Sequence, residues 1–491
     1  MNTPLRRLSV VVAVLFALLL GSATWVQFVD AGSLRDDPRN SRTLLAELGR
    51  DRGPITAADG EVLAESVEAE GPIAYQRTYP EGADWAHVTG AYSVVYGATG
   101  IEDALGSLLA GTADELFYRR ISDLLTGRQP SGASVELTLQ PEVQEAALDA
   151  LGDQRGAVVA LEPSTGRVLA MVSSPSYDPA ELSSLDTEAV RESYARLLDD
   201  PGDPLVNRAI AGDTYPPGSV FKLVTAAAAL ETGSYTAQSV LPGPAELDLP
   251  LTDATLPNVT GEACGPGDEV SLADALRISC NTAFGSLGLT LPDGAVADAA
   301  AGFGFGRDLD IPLAVTPSTY PEEVDEPQQA LSAIGQASVR VTPLQVAMVS
   351  AAIANDGVLV QPQMVGTVSA EDLSVVEAPE PREIGRAVSE ETAAALTEMM
   401  ELVVEDGTGT AAQISGVDVA GKSGTAEVGD VDGDGEAEDP HAWFTAFAPA
   451  DDPQVAVAVV VENGGDAGSE ASGGRTAAPI ARRVVEAVID R

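Results

Sequence analysis

YPPGSVFKLVTAAAALE, residues 215–231, is the stretch that decides the fold. Its first four residues form a rigid, turn-forming run, because proline fixes φ and has no N–H with which to continue a helix. The residues after Gly218 are apolar on nearly all sides, which predicts a buried helix. Ser219 is therefore expected at a helix N-terminus, where the dipole and free N–H groups favour developing negative charge. Lys222 follows one turn later on the same face.

Lysine is almost absent from the chain, which makes the two lysines informative. The sequence has 27 Lys and Arg residues, and only Lys222 and Lys422 are lysine. Arginine stays protonated in proteins, whereas a desolvated lysine can lose its proton and act as a base. Each lysine belongs to a short motif, Ser219-Val220-Phe221-Lys222 or Lys422-Ser423-Gly424-Thr425, and Ser279-Cys280-Asn281 lies between them.

The order of the three motifs is more specific than any one of them. A lone Ser-x-x-Lys occurs often by chance, and its ordinary interpretation is a helix-capping serine beside a solvated lysine. Ser-x-x-Lys, Ser-x-Asn and Lys-Ser/Thr-Gly, in that order, form the active-site set of serine penicillin-recognising enzymes. The intervals between them leave room for an all-helical lobe and then a return to a sheet. Residues 418–428 alternate around their glycines, which predicts a strand carrying the third motif.

On these motifs the chain resembles the class B penicillin-binding proteins, which are membrane-anchored peptidoglycan transpeptidases. It is most similar to their actinobacterial penicillin-binding protein A group, and the resemblance covers almost the whole chain. Residues 52–64 match the family's N-terminal module, and residues 156–166 match the first strand of its catalytic domain. Residues 334–336 and 342–345 match a helix start before the third motif. Ser423 departs from the threonine of many members but keeps the hydroxyl.

The resemblance implies a role for each polar residue of the first two motifs. Ser219 would attack the penultimate D-alanine carbonyl of a stem peptide and release the terminal D-alanine. Lys222 would be the general base, and Ser279 would relay a proton toward the leaving group. Asn281 would hold Lys222 and the substrate amide. The amine of a second stem peptide would then resolve the acyl-enzyme.

The third motif, on the same resemblance, would bind the substrate. Lys422 would supply positive potential. The substrate-binding residues would be Ser423, Gly424 and Thr425, with the two hydroxyls on the substrate carboxylate. The backbone N–H groups of Ser219 and Thr425 would form the oxyanion hole. The resemblance implies no cofactor and no metal.

The expected fold class is α+β. The sequence predicts a helix over 137–151, a hairpin after Gly156, and later elements comprising strands at 417–428, 441–449 and 453–462 and a closing helix at 477–489. This set fits a five-stranded antiparallel sheet with helices on both sides and an all-helical lobe. The resemblance makes it a serine β-lactamase/transpeptidase-like domain, preceded by a transmembrane helix and an N-terminal pedestal module.

The N-terminus carries the one stretch expected to span a membrane. Residues 8–29 are nearly uncharged and would form a helix of about 33 Å, long enough for a bilayer. Arg6 and Arg7 before it predict a cytoplasmic N-terminus and an extracytoplasmic catalytic domain. A cleaved signal peptide is the alternative, since residues 21–23 are small, but the apolar run continues beyond them and favours an uncleaved anchor. The division that follows is a cytoplasmic tail, a signal anchor, a pedestal or dimerisation-type module and a transpeptidase domain, at 1–7, 8–29, 30–155 and 156–491.

The net charge of −48 bears on partners. It argues against nucleic acid and predicts repulsion from anionic membrane surfaces, so that membrane contact comes through the anchor. Salt adaptation and compositional bias are alternative origins of this acidity. The resemblance implies stem peptides and β-lactams as ligands. It also implies a polytopic membrane glycosyltransferase of the shape, elongation, division and sporulation class as a partner. The pedestal is too short for a glycosyltransferase domain, which argues against a bifunctional class A enzyme.

Other functions share part of this pattern. A β-lactamase or D,D-carboxypeptidase would use the same acyl-enzyme with water, so the motifs do not discriminate; the anchor and pedestal do, because hydrolytic relatives are usually compact. A non-catalytic scaffold is disfavoured because every required side chain is present. Ser-His-Asp catalysis is poorly supplied, with only His87 and His441 and no Gly-x-Ser-x-Gly around Ser219. His441 is interpreted as structural.

Cys264 and Cys280 are the only cysteines. An exported domain lies in an oxidising compartment, and residues 265–267, Gly-Pro-Gly, would let the chain turn back so that the two can pair. Such a bridge would tie the second motif to the preceding loop. Two free thiols, with Cys280 packed as a small apolar residue, are the alternative.

One acidic segment resembles a calcium loop. Residues 430–436, DVDGDGE, have the start of an EF-hand, but the twelfth position is His441 rather than glutamate. A solvated acidic turn between two strands is therefore the favoured interpretation.

Overall fold

The computed structural model of the chain describes residues 2–29, 50–70, 73–116, 131–212, 214–309, 311–321, 323–429 and 438–490. Its central element is a five-stranded antiparallel sheet. From edge to edge the strands are Ala420–Ala426, His441–Ala448, Val455–Val461, Gly156–Leu161 and Val168–Ser174. Inside the sheet, the first strand of the catalytic half, Gly156–Leu161, therefore pairs with the last one, Val455–Val461.

The sequence of the strands explains their position in the sheet. Val455–Val461 reads VAVAVVV and is buried at every residue, and β-branched side chains pack well on a pleated surface. A strand covered on both faces reads as a continuous apolar run rather than as an alternation. The strands expected at 417–428, 441–449 and 453–462 are confirmed, each with shorter ends.

Helices cover both faces of this sheet. Helices Pro141–Leu151 and Ala478–Ile489 pack on each other and on one face. Helix Pro343–Ala354, which is buried along almost its whole length, packs on the other face. Successive residues of Gly156–Leu161 alternate between these two cores, as the period of a strand requires.

The lobe beside the sheet is mainly helical. Helix Lys222–Glu231 runs through it, and around this helix pack Leu272–Arg277, Asn281–Thr290, Ala295–Gly302 and Glu390–Asp406. Helix Glu326–Ser332 packs on Asn281–Thr290. An all-helical lobe was expected, but the lobe also contains strands. It carries two short strand pairs, Val240–Pro242 with Glu269–Ser271 and Glu246–Asp248 with Thr255–Pro257. The proline- and glycine-rich sequence of this region cannot continue a helix.

A second sheet of six strands forms the N-terminal module. In spatial order its strands are Val375–Glu377, Val365–Ser369, Ser134–Leu137, Ile55–Thr56, Val62–Glu68 and Tyr75–Thr78. The first two belong to the catalytic half of the sequence. The pairing of Val365–Ser369 with Ser134–Leu137 is antiparallel, so the module is completed by a hairpin contributed from far along the chain.

The helix expected over 137–151 begins later than predicted. Leu137 is the last residue of a strand, and the helix runs over Pro141–Leu151 with proline in its first turn. Proline presets the helical φ but disfavours a helical residue before it, so the helix begins at Pro141. The closing helix is observed at Ala478–Ile489, after a π-helical turn at Gly473–Ala477.

The N-terminal segment forms an α-helix, Asn2–Thr24, followed by a π-helical turn, Trp25–Val29. Among the described residues, Leu5–Phe28 is the one helical segment long and apolar enough to cross a membrane. Length and composition alone support this reading.

The remaining elements are short. They comprise the helices Gly82–Thr89, Gly100–Ala104, Gly106–Leu109, Pro179–Leu182 and Thr187–Leu198, the strand pairs Tyr92–Ser93 with Gly97–Ala98 and Val358–Val360 with Glu383–Arg386, and the 3-10 turns Asp114–Leu116, Pro266–Asp268, Thr410–Ala412 and Glu462–Glu470. The acidic segment compared with a calcium loop falls in 430–437, outside the described residues.

A buried carboxylate holds the N-terminal module together. Glu102 is fully buried, and its carboxylate accepts hydrogen bonds from Arg52 at 2.8 Å and from Arg77 at 2.5 Å. Both guanidinium groups are also nearly inaccessible. Removing one partner of a buried ion pair leaves uncompensated charge in a low-dielectric interior.

We therefore expect Glu102→Ala to lower the free energy of unfolding by about 3–5 kcal/mol, because two buried guanidinium groups lose their counter-charge. Denaturant unfolding of the purified chain measures this. Glu181→Ala is the matched control, because Glu181 pairs with Arg196 where both side chains are exposed, and exposed pairs contribute at most about 1 kcal/mol. Equal losses in the two variants would contradict the interpretation.

Candidate active site

The turn that carries Ser219 differs from the expected one. Gly218–Phe221 is a 3-10 turn, and the α-helix begins only at Lys222. Gly218 has a φ of +55°, and a Cβ there would lie 2.6 Å from the carbonyl oxygen of Thr425. Only glycine can therefore occupy this position, and its presence lets the strand of the third motif approach the turn that carries Ser219.

Lys222 is fully buried, as its apolar helix predicts. Its Nζ donates to Asn281 Oδ1 at 2.7 Å, to the carbonyl oxygen of Ser279 at 2.8 Å and to Ser279 Oγ at 3.3 Å. Burial lowers the pKa of Lys222 well below its ordinary value, and the positive charge of Lys422 lowers it further. The amine is thus held by both polar residues of the second motif.

Ser279 lies between the two lysines. Its Oγ accepts hydrogen bonds from Lys222 and, at 3.0 Å, from Lys422. Its φ of +62° is uncommon for a residue with a side chain. Helix Asn281–Thr290 begins two residues later, so Ser279 sits in the sharp turn that leads into that helix. Strain of this kind is often found at functional sites.

Lys422 lies on Ala420–Ala426, the edge strand of the central sheet, and is also fully buried. Its Nζ donates to Ser279 Oγ and, at 2.7 Å, to the carbonyl oxygen of Ser423. Burial lowers the pKa of Lys422 to about 7. Gly424 follows two residues later on the same strand. A Cβ there would lie 3.0 Å from a Val220 methyl, so glycine allows close packing against the turn that carries Ser219.

The two hydroxyls of the third motif have different surroundings. Ser423 is buried and donates to Thr408 Oγ1 at 2.6 Å, whereas Thr425 is half-buried. Thr408 lies in the loop after helix Glu390–Asp406 and was not singled out from the sequence. The Gly-Thr-Gly-Thr run at 407–410 gave no signal of its own beyond that of a loop.

A second group of residues, not identified from the sequence, makes hydrogen bonds to the residues just before Ser219. Trp443 Nε1 donates to the carbonyl oxygen of Pro216 at 3.1 Å, and the hydroxyl of Tyr215 donates to Glu462 Oε1 at 2.6 Å. Glu462 also pairs with Arg208 at 2.9 Å and with Arg155 at 2.5 Å. These residues are scattered along the chain, so no local pattern connects them.

The cysteines and histidines lie in supporting positions. Cys264 and Cys280 form a disulfide with a Cα–Cα distance of 6.0 Å, which links the second motif to the preceding loop. His441 Nδ1 accepts from the backbone N–H of Asn463, and His87 Nε2 lies 3.3 Å from the carbonyl oxygen of Pro175. Burial is the main cause that lowers the pKa of both imidazoles.

Serine enzymes that recognise penicillin share this grouping, and the fold and the site together place the chain in that class. The family model of the penicillin binding protein transpeptidase domain matches residues 156–486. The model of the penicillin binding protein A dimerisation domain matches residues 52–135. The chain belongs to the penicillin-binding protein transpeptidase family.

Relatives match along the full length. The chain is 48% identical to "Peptidoglycan D,D-transpeptidase PbpA" of Mycolicibacterium smegmatis, over 100% of this chain and 99% of the relative. It is 45% identical to the protein of the same name from Mycobacterium tuberculosis H37Rv, with the same coverage. Two solved structures of penicillin-binding protein A from M. tuberculosis are 43% identical. The ceftriaxone acyl-enzyme complex superposes with a TM-score of 0.86 over 91% of this chain and 100% of that chain, and the penicillin G acyl-enzyme complex with 0.84 over 89% and 99%.

The burial of Lys422 makes a prediction about stability and pH. Its pKa is lower in the folded chain than in the unfolded chain, so below about pH 7 the fold must hold a buried charge or release a proton. Lys422→Met should therefore be more stable than wild type at pH 6, and the gap should narrow as the pH rises from 7 toward 10. We expect the free energy of unfolding of the variant to exceed that of wild type by about 2–4 kcal/mol at pH 6. Each pKa unit corresponds to about 1.4 kcal/mol, and the hydrogen bonds lost with Lys422 offset part of the gain.

Denaturant unfolding of both proteins at pH 6, 8 and 10 measures this gap. The difference between variant and wild type cancels the effect of the many carboxylates elsewhere in the chain. A gap that is constant across this range, or that favours wild type at pH 6, would contradict the lowered pKa.

Proposed function

We propose that the chain is a peptidoglycan D,D-transpeptidase that cross-links stem peptides through an acyl-enzyme on Ser219 and is acylated by β-lactams. The observation that carries the proposal is the buried amine of Lys222, one helical turn from Ser219 and held by Ser279 and Asn281. Relatives that match along the full length are named peptidoglycan D,D-transpeptidases, and the solved relatives are β-lactam acyl-enzymes.

Acylation begins at Ser219. Its Oγ attacks the penultimate D-alanine carbonyl carbon, and the Oγ proton passes to Lys222, whose neutral form is favoured because burial lowers its pKa. The backbone N–H groups of Ser219 and Thr425 support the developing oxyanion. Gly218 supports this role, because any side chain at that position would collide with the strand that carries Thr425.

Collapse of the tetrahedral intermediate requires a proton on the leaving nitrogen. Ser279 Oγ is hydrogen-bonded to both lysines, so it can pass a proton from Lys222 to the departing terminal D-alanine and be reprotonated. Asn281 keeps Lys222 in place during this transfer. The amine of a second stem peptide then attacks the acyl-enzyme and gives a proton to Lys222. The bond to Ser219 Oγ breaks, and Lys222 returns the proton to that oxygen, which restores both residues.

The third motif binds the substrate in this proposal. Lys422 supplies positive potential, the hydroxyls of Ser423 and Thr425 bind the terminal carboxylate, and Gly424 leaves space beside the strand. In the structure the one hydroxyl proton of Ser423 is donated to Thr408, so binding the carboxylate requires this hydroxyl to turn away from Thr408. A carboxylate so bound is a feature shared by stem peptides and β-lactams.

Hydrolytic action, as a β-lactamase or D,D-carboxypeptidase, uses the same acyl-enzyme but is not favoured. The full-length match to transpeptidases includes the N-terminal module, and a dimerisation-domain model covers residues 52–135. That module adds nothing to hydrolysis by water, whereas a transpeptidase needs a second glycan strand brought to the site.

The proposed organisation places the enzyme on the outer side of the cell membrane. Residues 1–7 are the cytoplasmic tail, 8–29 the single-pass anchor, 30–155 the pedestal and 156–491 the transpeptidase domain. The helix Leu5–Phe28 supports the anchor by its length and composition, and Arg6 and Arg7 support the orientation. A polytopic membrane glycosyltransferase of the shape, elongation, division and sporulation class is the proposed partner, since the pedestal at 30–155 is too short for a glycosyltransferase domain.

The direct test is incubation with labelled penicillin, followed by intact-mass measurement and peptide mapping. Wild type should show one long-lived adduct on Ser219, and Ser219→Ala should show none, because the nucleophile is lost while the fold is kept. Circular dichroism and thermal unfolding serve as the folding control. Rapid turnover of the adduct would indicate a β-lactamase, and an adduct in the Ser219→Ala variant would refute the assignment.

The two lysines should respond differently to replacement by arginine. Lys222→Arg should slow acylation by about 10²–10⁴-fold, close to Lys222→Ala, because arginine keeps the charge but cannot act as a base. Lys422→Arg should be milder, because positive potential matters more there than deprotonation.

The pH dependence of acylation separates these roles. In wild type the second-order rate constant should fall as the pH rises through about 7, because Lys422 then loses its charge. Lys422→Arg should lack this alkaline decline, since arginine stays protonated. Stopped-flow acylation by a chromogenic cephalosporin between pH 5 and 10 measures both. Wild-type rates in Lys222→Arg would refute the assignment of the base.

A further inference from the structure

Asn258 is buried, and every polar group that it has makes a hydrogen bond. Its Oδ1 accepts from the backbone N–H groups of Asn281 at 3.0 Å and of Thr282 at 3.1 Å. Its Nδ2 donates to the carbonyl oxygens of Pro244 and Glu262, each at 2.9 Å. One side chain therefore joins two ends of the preceding loop to the start of the helix that carries Asn281.

The contact is made at a point that determines the orientation of Asn281. The first N–H groups of a helix have no partner within the helix, and Asn258 Oδ1 binds two of them from outside the segment. Next to Asn258, the carbonyl oxygen of Pro257 accepts from Asn281 Nδ2 at 3.1 Å. With its Nδ2 so engaged, Asn281 presents Oδ1 to Lys222 Nζ, which lies 2.7 Å away.

We infer that Asn258 is a positioning residue for acylation, which sets the place of the Lys222 amine by fixing the backbone and the carboxamide of Asn281. This inference rests on the roles proposed for Lys222 and Asn281. The chain of contacts runs from Asn258 Oδ1 to the Asn281 N–H, and from Asn281 Oδ1 to Lys222 Nζ, so Asn258 acts through Asn281 and does not touch the substrate.

The disulfide does not replace this contact. Cys264–Cys280 ties the loop to the residue before Asn281, but it leaves the N–H groups of Asn281 and Thr282 without an acceptor. A displacement of about 1 Å in a catalytic group can cost about 10²-fold in rate. Loss of the acceptor should thus reduce the acylation rate even while the loop remains covalently attached.

Three variants separate positioning from general stability. Asn258→Leu has a similar size but no acceptor and no donor. Asn258→Asp keeps an oxygen for the two N–H groups, at a helix N-terminus where negative charge is favoured, but loses both donors to the loop. Asn355→Leu is the control, because Asn355 donates to the carbonyl oxygen of Val358 at 3.0 Å elsewhere in the fold.

Stopped-flow acylation of the full chain by a chromogenic cephalosporin gives the rate constant of the chemical step and the dissociation constant separately. We expect Asn258→Leu to lower the rate constant about 100-fold with the dissociation constant within about 2-fold. Asn258→Asp should stay within about 3-fold of wild type in both. All three variants should melt at a lower temperature, and Asn355→Leu should acylate as wild type.

The outcomes that overturn the inference are specific. Acylation by Asn258→Leu within 3-fold of wild type, or an equal loss in Asn258→Asp, would show that the side chain only stabilises the loop. If Asn258→Leu fails to fold, Asn258→Asp decides: acylation more than 3-fold slower than wild type would overturn the inference. Asn281→Ala separates the two levels: wild-type acylation there would refute the proposed role of Asn281, whereas a large loss there with none in Asn258→Leu would refute only the role of Asn258.

Discussion

Two buried amines share one hydroxyl, and the catalytic half of the molecule is arranged around them. Lys222 and Lys422 both donate to Ser279 Oγ, and neither amine has access to solvent. Two ammonium groups in a low-dielectric interior repel each other, so the charge of Lys422 adds to burial in lowering the pKa of Lys222. The proposed transfer of a proton from Ser219 to Lys222 therefore uses no histidine.

Holding these amines in place requires three segments that are distant in sequence. Lys222 comes from a helix in the lobe, Lys422 from the edge strand of the sheet, and Ser279 from the turn before a second lobe helix. Both lysines are buried, and burying a charged side chain costs free energy that the apolar core has to offset. The valine-rich central strands and the buried helix Pro343–Ala354 supply that core.

Much of this arrangement could be predicted, because the decisive signals are local. The apolar run after Gly218 predicted the burial of Lys222, and continuous apolar runs predicted the central strands. Element ends were less predictable. The helix expected from Leu137 begins at Pro141, and Ser219 lies in a 3-10 turn ahead of the α-helix that was expected to begin there. The residues missed were polar side chains in loops or at strand ends, such as Thr408, Glu462 and Asn258. Their partners lie far along the chain, and no periodicity indicates such contacts.

The hairpin Val365–Glu377 has a consequence for how the chain matures. It completes the sheet of the N-terminal module by pairing with Ser134–Leu137, yet it is synthesised long after that strand. An unpaired strand edge is a template for unwanted pairing with other chains. The growing chain must therefore keep that edge protected until residue 377 has been synthesised. The two halves of the molecule thus finish folding together, and a chain that stops before residue 377 leaves a half-finished sheet.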